Sequence, residues 1–426
     1  MYNMSMKKTY LVGGAVRDKL LNYPFHERDW VVVGATPESM LTEGFRPVGK
    51  DFPVFLHPDT NEEYALARTE RKTAPGYGGF VFHTSEHITL EEDLIRRDLT
   101  INAMAESHDG ELIDPFRGRE DLDNKLLRHV SDAFSEDPVR ILRVARFAAR
   151  YHHLGFTVAP QTQELMHDMV VNDEASHLVA ERVWKELERA LTERSPQTFI
   201  SALRDCGALN IVMPEIDALF GVPQPEAHHP EVDSGLHTLM SLSCARGLTD
   251  DSKCLFATLT HDLGKAATPK DEWPRHIGHE ERSLPLIERL CDRLAVPKLH
   301  RELAIAVARD HTHCHRALEL KATSVLKLLQ RLDAFRRPEK LEQFLLCCQA
   351  DACGRTGFEH RPYPQADFLR QAYVVCTKIQ AKDVIAEGIS GKAIGDKLIE
   401  KRIRAIANLK DNYPSQRPAP EKNNEK

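Results

Sequence analysis

Residues Tyr10 to Trp30, YLVGGAVRDKLLNYPFHERDW, crowd a glycine pair, an Arg-Asp dipeptide and two carboxylates into about twenty positions. Tyr10-Leu11-Val12 has β-forming side chains and AVRDKLL has helical spacing, so Gly13 and Gly14 fall where a strand turns into a helix. Such a turn leaves backbone N–H groups able to face an anion, and glycine lets a phosphate come close. Arg17, one helical turn beyond Gly13, is placed to grip the same anion with a forked guanidinium. Strand-Gly-Gly-helix turns also occur as plain architecture, so the weight falls on what comes next.

Next comes HERDWVVVG. Four apolar residues from Trp30 read as a buried strand, and Glu27 and Asp29, two apart in extended chain, share a face just before it. Side-by-side carboxylates repel unless a hard cation such as Mg²⁺, which prefers oxygen ligands, offsets their charge. Paired metals at such a site activate an attacking hydroxyl and steady a triphosphate with its leaving group. The plain alternative is an exposed polar strand end.

At 426 residues the chain exceeds one compact core, and two to four domains are expected. With 42% apolar and 28% charged residues it has a globular rather than a disordered composition. Acidic residues outnumber basic ones, 64 to 57, so any contact with nucleic acid has to come from a local basic face. The nine cysteines fall between Cys206 and Cys376 without a C-x-x-C pair, which argues against a disulfide framework or a zinc ribbon and for reduced thiols in a cytoplasmic protein. The start, MYNMSMKKTYLV, has no sustained apolar segment, and no run of eighteen apolar residues occurs, so neither secretion nor a membrane span is expected.

Short β-rich runs at Thr9–Val12, Trp30–Val33, Glu63–Ala67 and Glu111–Ile113 mix with helical patches over residues 7–115, predicting an α+β region. From about Pro138 the helical period dominates. ASHLVAERVWKELERALT and SPQTFISALRDCGALN each open on a serine able to cap, and Gly207 can stop the second, so the remainder is expected to be all helical. TAPGYGGFVFHTSEHIT, residues 73–89, suggests a mobile loop beside a sheet. The Pro- and His-rich GVPQPEAHHPEVD marks a domain boundary, and YPSQRPAPEKNNEK a frayed tail. GISGKAIGDKL lacks phosphate-loop spacing and reads as a helix boundary.

Downstream of the acid pair stand IRRDLTINAM, LIDPFRGREDL and EDPVRILRVARFAAR. At about 100° per residue, Arg140, Arg143, Arg146 and Arg150 share an arc of roughly 120° opposite an apolar face. No acid at i+4 pairs them, so phosphate or base contact is expected over a merely solvated basic stripe. Asp137 before Pro138 also suits a helix cap followed by proline at the first helical position. Histidines gather in GLHTLM, LTHDLGKA, RHIGHE and RDHTHCH.

The series resembles the bacterial CCA-adding tRNA nucleotidyltransferases of the DNA polymerase β-like superfamily, in the subgroup shared with bacterial poly(A) polymerases. The likeness runs through most of the chain. It implies that Gly14 and Arg17 bind nucleotide phosphates, with Gly13 shaping the turn, and that Glu27 and Asp29 hold Mg²⁺. The family usually shows D-x-D there, so the first ligand is one methylene longer. Arg97, in Arg96-Arg97-Asp98, would touch the triphosphate or ribose, supported by Asn102. Glu136, Asp137 and Arg140 match E-D-x-x-R, whose acid and arginine read the Watson-Crick edge of the incoming base, and Arg143 and Arg146 would contact nucleotide. His261 and Asp262 resemble the signature of HD-family phosphohydrolases, completed by His237 and Asp351 around a divalent metal. Nitrogen with carboxylate ligands suits a transition metal, such as Ni²⁺, better than Mg²⁺, and a metal-bound water can attack a phosphoester. His276, His279 and His311 are candidate second-metal or phosphate contacts, while His313 and His315 keep the default of ordinary residues.

This resemblance, to the multifunctional type that carries an HD domain, implies a polymerase β-like α+β head at 1–138, a helical neck and body at 139–230, an HD domain at 234–335 and a helical tail at 336–426. It implies template-independent addition of CCA to tRNA from CTP and ATP, with phosphatase, 2′,3′-cyclic phosphodiesterase and 2′-nucleotidase activity in the HD domain. Monomer and homodimer both stay open. The rivals are a poly(A) polymerase, an HD phosphohydrolase with an inactive head, and a non-catalytic RNA-binding protein.

Overall fold

The computed structural model describes residues 7–25, 27–48, 54–72, 80–226 and 229–413. The chain divides into two compact units, Met1–Asp217 with Asp292–Ala295, and Ala218–Cys291 with Val296–Lys426.

The first unit opens with strands β1 (Lys8–Val12), β2 (Asp29–Val33), β3 (Arg46–Val48), β4 (Val54–Leu56), β5 (Glu63–Leu66), β6 (Arg68–Lys72), β7 (Phe80–Thr84), β8 (Ala105–Ser107) and β9 (Leu112–Ile113). Seven of them form one mixed sheet in the order β3-β4-β5-β2-β1-β8-β9. β1 and β2 pair antiparallel with Val12 opposite Asp29, which sets the end of the glycine strand beside the start of the acidic one. β2 is central because both its faces are apolar: Val31 joins one core, with Val12, Leu94 and Ala105, and Val32 the other, with Met40, Phe55 and Leu66. β6 and β7 form a separate antiparallel ribbon. Phe80–Thr84, expected to be loop, is therefore strand, paired along its backbone with β6 from Arg68 opposite Thr84 to Lys72 opposite Phe80. Residues 73–79 of that loop expectation lie outside the described residues.

Helices then take over, led by Val139–Tyr151 and Ala180–Thr192. Two expectations for this stretch are corrected. The remainder is not wholly helical, because β10 (Leu126–Leu127) pairs in parallel with β11 (Thr157–Val158), where Gly155, at φ +87°, turns the chain back. Nor do the serines cap. Ser176 lies in the 3₁₀ turn Glu174–His177, and the helix after it starts beyond Val179; Ser195 holds the position before Pro196 but makes no side-chain cap bond. Gly207, at φ +83°, does end the Pro196–Asp205 helix in the left-handed conformation that glycine adopts without strain.

The second unit is helical. Its centre is Ser252–Thr260, buried all round from Cys254 onward, as a helix apolar on every side must be. Around it lie Ser234–Leu248, Lys298–His315 and Pro338–Cys353. Asp233 and Asp251 cap the first two helices through Leu236 N–H and Lys253 N–H, at 2.8 and 2.9 Å. Gly264 is needed for close approach, since a Cβ there would meet the backbone oxygen of His279 at 2.0 Å. GISGKAIGDKL spans the break between Ala381–Ala386 and Ala393–Asn412, as its spacing predicts. No helix among the described residues is long and apolar enough to cross a membrane.

Candidate active sites

A cavity of about 980 Å³ in the first unit is lined by Gly13, Gly14, Arg17, Glu27, Asp29, Arg97, Asp98, Asn102, Asp137, Arg140, Arg143 and Arg146. Thus the nucleotide-site residues expected from sequence, from Gly14 to Arg146, border one space, with the exception of Glu136, which does not line it. Gly13 sits at φ 66°, ψ −124°, a backbone conformation that suits glycine alone, and a Cβ there would meet Arg97 Nη1 at 2.9 Å. Asp29 opens β2 against the cleft. Burial pushes its carboxyl up, Arg97 pulls it down and Glu27 pushes it up again, leaving it raised overall. Asp29 with Glu27 beside it fits a divalent cation, whose charge would oppose both the burial of Asp29 and the repulsion between the two.

Arg17 borders the cleft, but its fork is engaged. Nε and Nη2 donate to Asp18 at 2.8 and 2.9 Å, Nη1 donates to Asn102 Oδ1, and the guanidinium lies over the rings of Phe147 and Tyr151. Its bidentate partner is Asp18, which the sequence reading did not single out. Asn102 Nδ2 in turn donates to Asp98 Oδ1 at 2.9 Å, and Arg143 Nε donates to Asp98 Oδ2 at 2.7 Å. Burial works against the Asp98 charge, but Arg143 and Asn102 outweigh it and hold the carboxyl far below its usual range. Arg97 donates to Asp93 at 3.1 Å while its Nε is buried without a hydrogen bond.

The basic face of the Val139–Tyr151 helix is paired after all, by acids from other elements. Arg143 meets Asp98, Arg146 meets Glu186 at 2.7 Å, and Arg150 meets Asp18 at 3.2 Å and Glu193 at 3.7 Å. Arg140 donates to the backbone oxygens of Ala133 and Arg96 at 2.9 and 2.6 Å. Asp137 accepts from Val139 N–H at 3.1 Å, the cap its sequence position predicts, and takes both arms of Arg182 at 3.2 and 2.9 Å. Arg182 was not visible as a site residue, because only folding brings Ala180–Thr192 to this wall.

The second unit gathers the histidines. His237 Nε2 lies 3.0 Å from Asp351 Oδ1, His261 Nε2 lies 3.1 Å from Asp262 Oδ2, and the cross distances are 3.7 and 3.8 Å. A second group shares Asp262: His279 Nε2 and His311 Nε2 stand 3.2 and 3.6 Å from its Oδ1 and 3.2 Å from each other. His261 Nε2 and Asp262 Oδ1 are buried and make no hydrogen bond. Each of the four rings has Nδ1 on a backbone carbonyl, so the neutral ring turns its lone pair toward carboxylate oxygen. Such converging acceptors could hold a cation, and the nitrogen-rich donor set would fit one softer than Mg²⁺. Burial disfavours a charged His261 ring, yet Asp262 and Asp351 overcome this and push it up to about 10, so that without a metal a proton on Nε2 takes the place that a cation would fill.

His276 stands apart from these histidine and carboxylate groups, bound to Pro223 O and Thr268 Oγ1. His313 is half exposed on Asp310. His315, taken as ordinary, contacts Asp351 Oδ2 at 2.6 Å. Lys265 and Glu231 also went unnoticed: Lys265 contacts Asp262, and Glu231 Oε1 lies 3.1 Å from His237 Nδ1. A cavity of about 640 Å³ opens on this centre, bordered by Lys265, Arg275, His276 and Arg316.

Fold and sites together define a class, nucleotidyltransferases with an HD-type hydrolase domain. The chain matches the Poly A polymerase head domain over residues 9–128, the probable RNA and SrmB-binding site of polymerase A over 155–220, and the HD domain over 235–337. It is 62% identical to the multifunctional CCA protein of Teredinibacter turnerae and 63% to that of Thioalkalivibrio sulfidiphilus, in each case over 95% of this chain and 98% of the relative. The fold is shared with the Thermotoga maritima CCA-adding enzyme complexed with tRNA (TM-score 0.62, 20% identity, 94% of this chain and 88% of that one). It is shared equally with the Bacillus stearothermophilus CCA-adding enzyme in complex with CTP (0.62, 23%, 95% and 89%). The chain belongs to the multifunctional CCA proteins, and is a CCA-adding nucleotidyltransferase with an HD phosphohydrolase domain.

Proposed function

We propose that the chain adds C, C and A in turn to the 3′ end of tRNA from CTP and ATP, using one head site. The carrying observation is that glycine turn, acid pair, Arg97, Asp137 and the arginine helix line a single cleft. Glu27 and Asp29 would hold Mg²⁺, which supplies charge stabilisation to the triphosphate and activates the tRNA hydroxyl. The backbone at Gly13 and Gly14 and the side chain of Arg97 anchor phosphates, and Arg17 acts through Asp18 and Asn102 to stiffen that wall. Arg143 and Arg146 face the nucleotide while held by Asp98 and Glu186. Asp137 and Arg140 read the base, and tRNA is gripped by shape and local arginines, in keeping with the net charge of −7.

In the second unit His237, His261, Asp262 and Asp351 would hold a transition metal such as Ni²⁺, and His279 and His311 would share Asp262 with a second. The substrates we assign are phosphomonoesters and 2′,3′-cyclic phosphodiesters. The hydrolase domain, placed at 234–335 from sequence, then has to take in the Pro338–Cys353 helix that bears Asp351. The head at 1–138, neck and body at 139–230 and tail beyond that helix complete the proposed organisation.

The test is to offer tRNA trimmed of its end with CTP and ATP and to sequence the product. Extension by CCA alone is expected; long A tracts would replace this reading with a poly(A) polymerase. No extension with phosphate release would leave only the hydrolase.

A further inference from the structure

Among the described residues, five histidine rings stand within 4 Å of Asp262 or Asp351, and four of them are turned alike. His237, His261, His279 and His311 place Nδ1 on the carbonyls of Gly354, Thr258, His276 and Ala308, at 3.1, 2.8, 2.8 and 3.0 Å. A carbonyl only accepts, so Nδ1 carries the hydrogen and Nε2 presents a lone pair to the centre.

His315 is set the other way. Its Nδ1 lies 2.8 Å from the hydroxyl of Tyr363, which can donate to it or, at the longer 3.4 Å, to Cys314 Sγ, and its Nε2 lies 2.6 Å from Asp351 Oδ2. A carboxylate only accepts, so here Nε2 carries the hydrogen. Asp351 is thereby divided: Oδ2 is taken by His315, while Oδ1 lies 3.0 Å from His237 Nε2, 3.7 Å from His261 Nε2 and 3.6 Å from Arg355 Nη2. The ring is anchored from both sides. His315 ends the Lys298–His315 helix one turn after His311, and Gln365 Nε2 donates to its backbone oxygen at 3.2 Å. Tyr363 directly precedes the Pro364–Thr377 helix.

We propose that His315, oriented by Tyr363, is a positioning residue that occupies Oδ2 of Asp351 and so presents Oδ1 as the single oxygen offered to the metal. This rests on the reading of His237, His261, Asp262 and Asp351 as metal ligands. Left without His315, the carboxylate would be free to turn or to chelate through both oxygens, and metal affinity would fall by about 10- to 100-fold, as is usual for partners that orient a ligand.

The experiment titrates Co²⁺ into the metal-free full chain, in an Asp29→Ala background that blinds the head, and follows visible absorption. His315→Ala should weaken binding by about 10- to 100-fold. His315→Gln, whose amide nitrogen can donate where Nε2 did, should recover most of the loss with the parent spectrum, and Tyr363→Phe should weaken binding less than His315→Ala. Thermal melts of the metal-free variants verify folding. Parent-like affinity in His315→Ala would overturn the proposal while leaving the metal site intact. So would a Gln variant as weak as Ala with an altered spectrum, which would make His315 itself a ligand. A parent that takes up no Co²⁺ would instead remove the metal-site reading, and this inference with it.

Discussion

Asp137 carries two duties that only the folded protein reveals together. Its cap to Val139 N–H follows from its place before Pro138, but its carboxylate plane is set by both arms of Arg182, a residue forty-five positions away. The base-reading role proposed for Asp137 needs a fixed orientation, and a bidentate guanidinium provides one. Arg182→Ala should therefore raise misincorporation of UMP and GMP by about tenfold, on the scale of one charge-assisted hydrogen bond, with hydrolysis in the second unit unchanged. Single-turnover incorporation with each of the four nucleotides measures this. Unchanged selectivity would mean that Asp137 is held adequately by its cap alone.

At the scale of elements, the Leu90–Ile95 helix and the Arg96-Arg97-Asp98 segment after it are fastened by ion pairs to a degree that pattern alone did not show. Asp93 binds Arg96 and Arg97, and Asp98 binds Arg143 of the Val139–Tyr151 helix. Burial raises both carboxyls, but the arginines outweigh it and both end below their usual value. A depressed folded pKa stabilises fully above the unfolded value of about 4 and loses that stability as pH falls through the lower folded value. Urea midpoints of the first unit's transition should thus be flat from pH 7 to 5 and fall steeply below pH 4. Asp98→Asn should cost about 2 kcal/mol at pH 7, below the usual cost of breaking a fully buried pair because Arg143 is part-exposed, and should shallow the acid slope. An acid slope identical to that of the parent would rule out Asp98 as its source.

Over the whole molecule, the proposed function sets two chemistries in two units, with oxygen ligands for the metal proposed in the head and nitrogen with oxygen for the one proposed in the helical unit. Asp29→Ala should abolish nucleotide addition and spare phosphate hydrolysis, and His261→Ala should do the reverse, each loss being at least 100-fold on the scale of a removed metal contribution. Chelation should stop both activities, with Mg²⁺ restoring addition and Ni²⁺ or Co²⁺ restoring hydrolysis. Assays on the same purified samples decide it. Loss of both activities in either variant, with the fold retained, would refute the assignment of separate sites.

Local rules carried a good part of this protein. The strand, glycine turn and helix around Gly13, the buried strand from Trp30, the stop at Gly207 and the candidate residues themselves were legible, because each depends on periodicity, on φ-restricted glycine or on a short motif. Partners were not. Arg182 on Asp137, the acids that pair the arginine helix, and His315 against Asp351 join positions far apart in the chain, and β11 found its partner thirty-one residues upstream. Charge pairing and hydrogen-bond orientation depend on distances of about 3 Å between side chains, which chain spacing does not encode and which only packing of the elements creates.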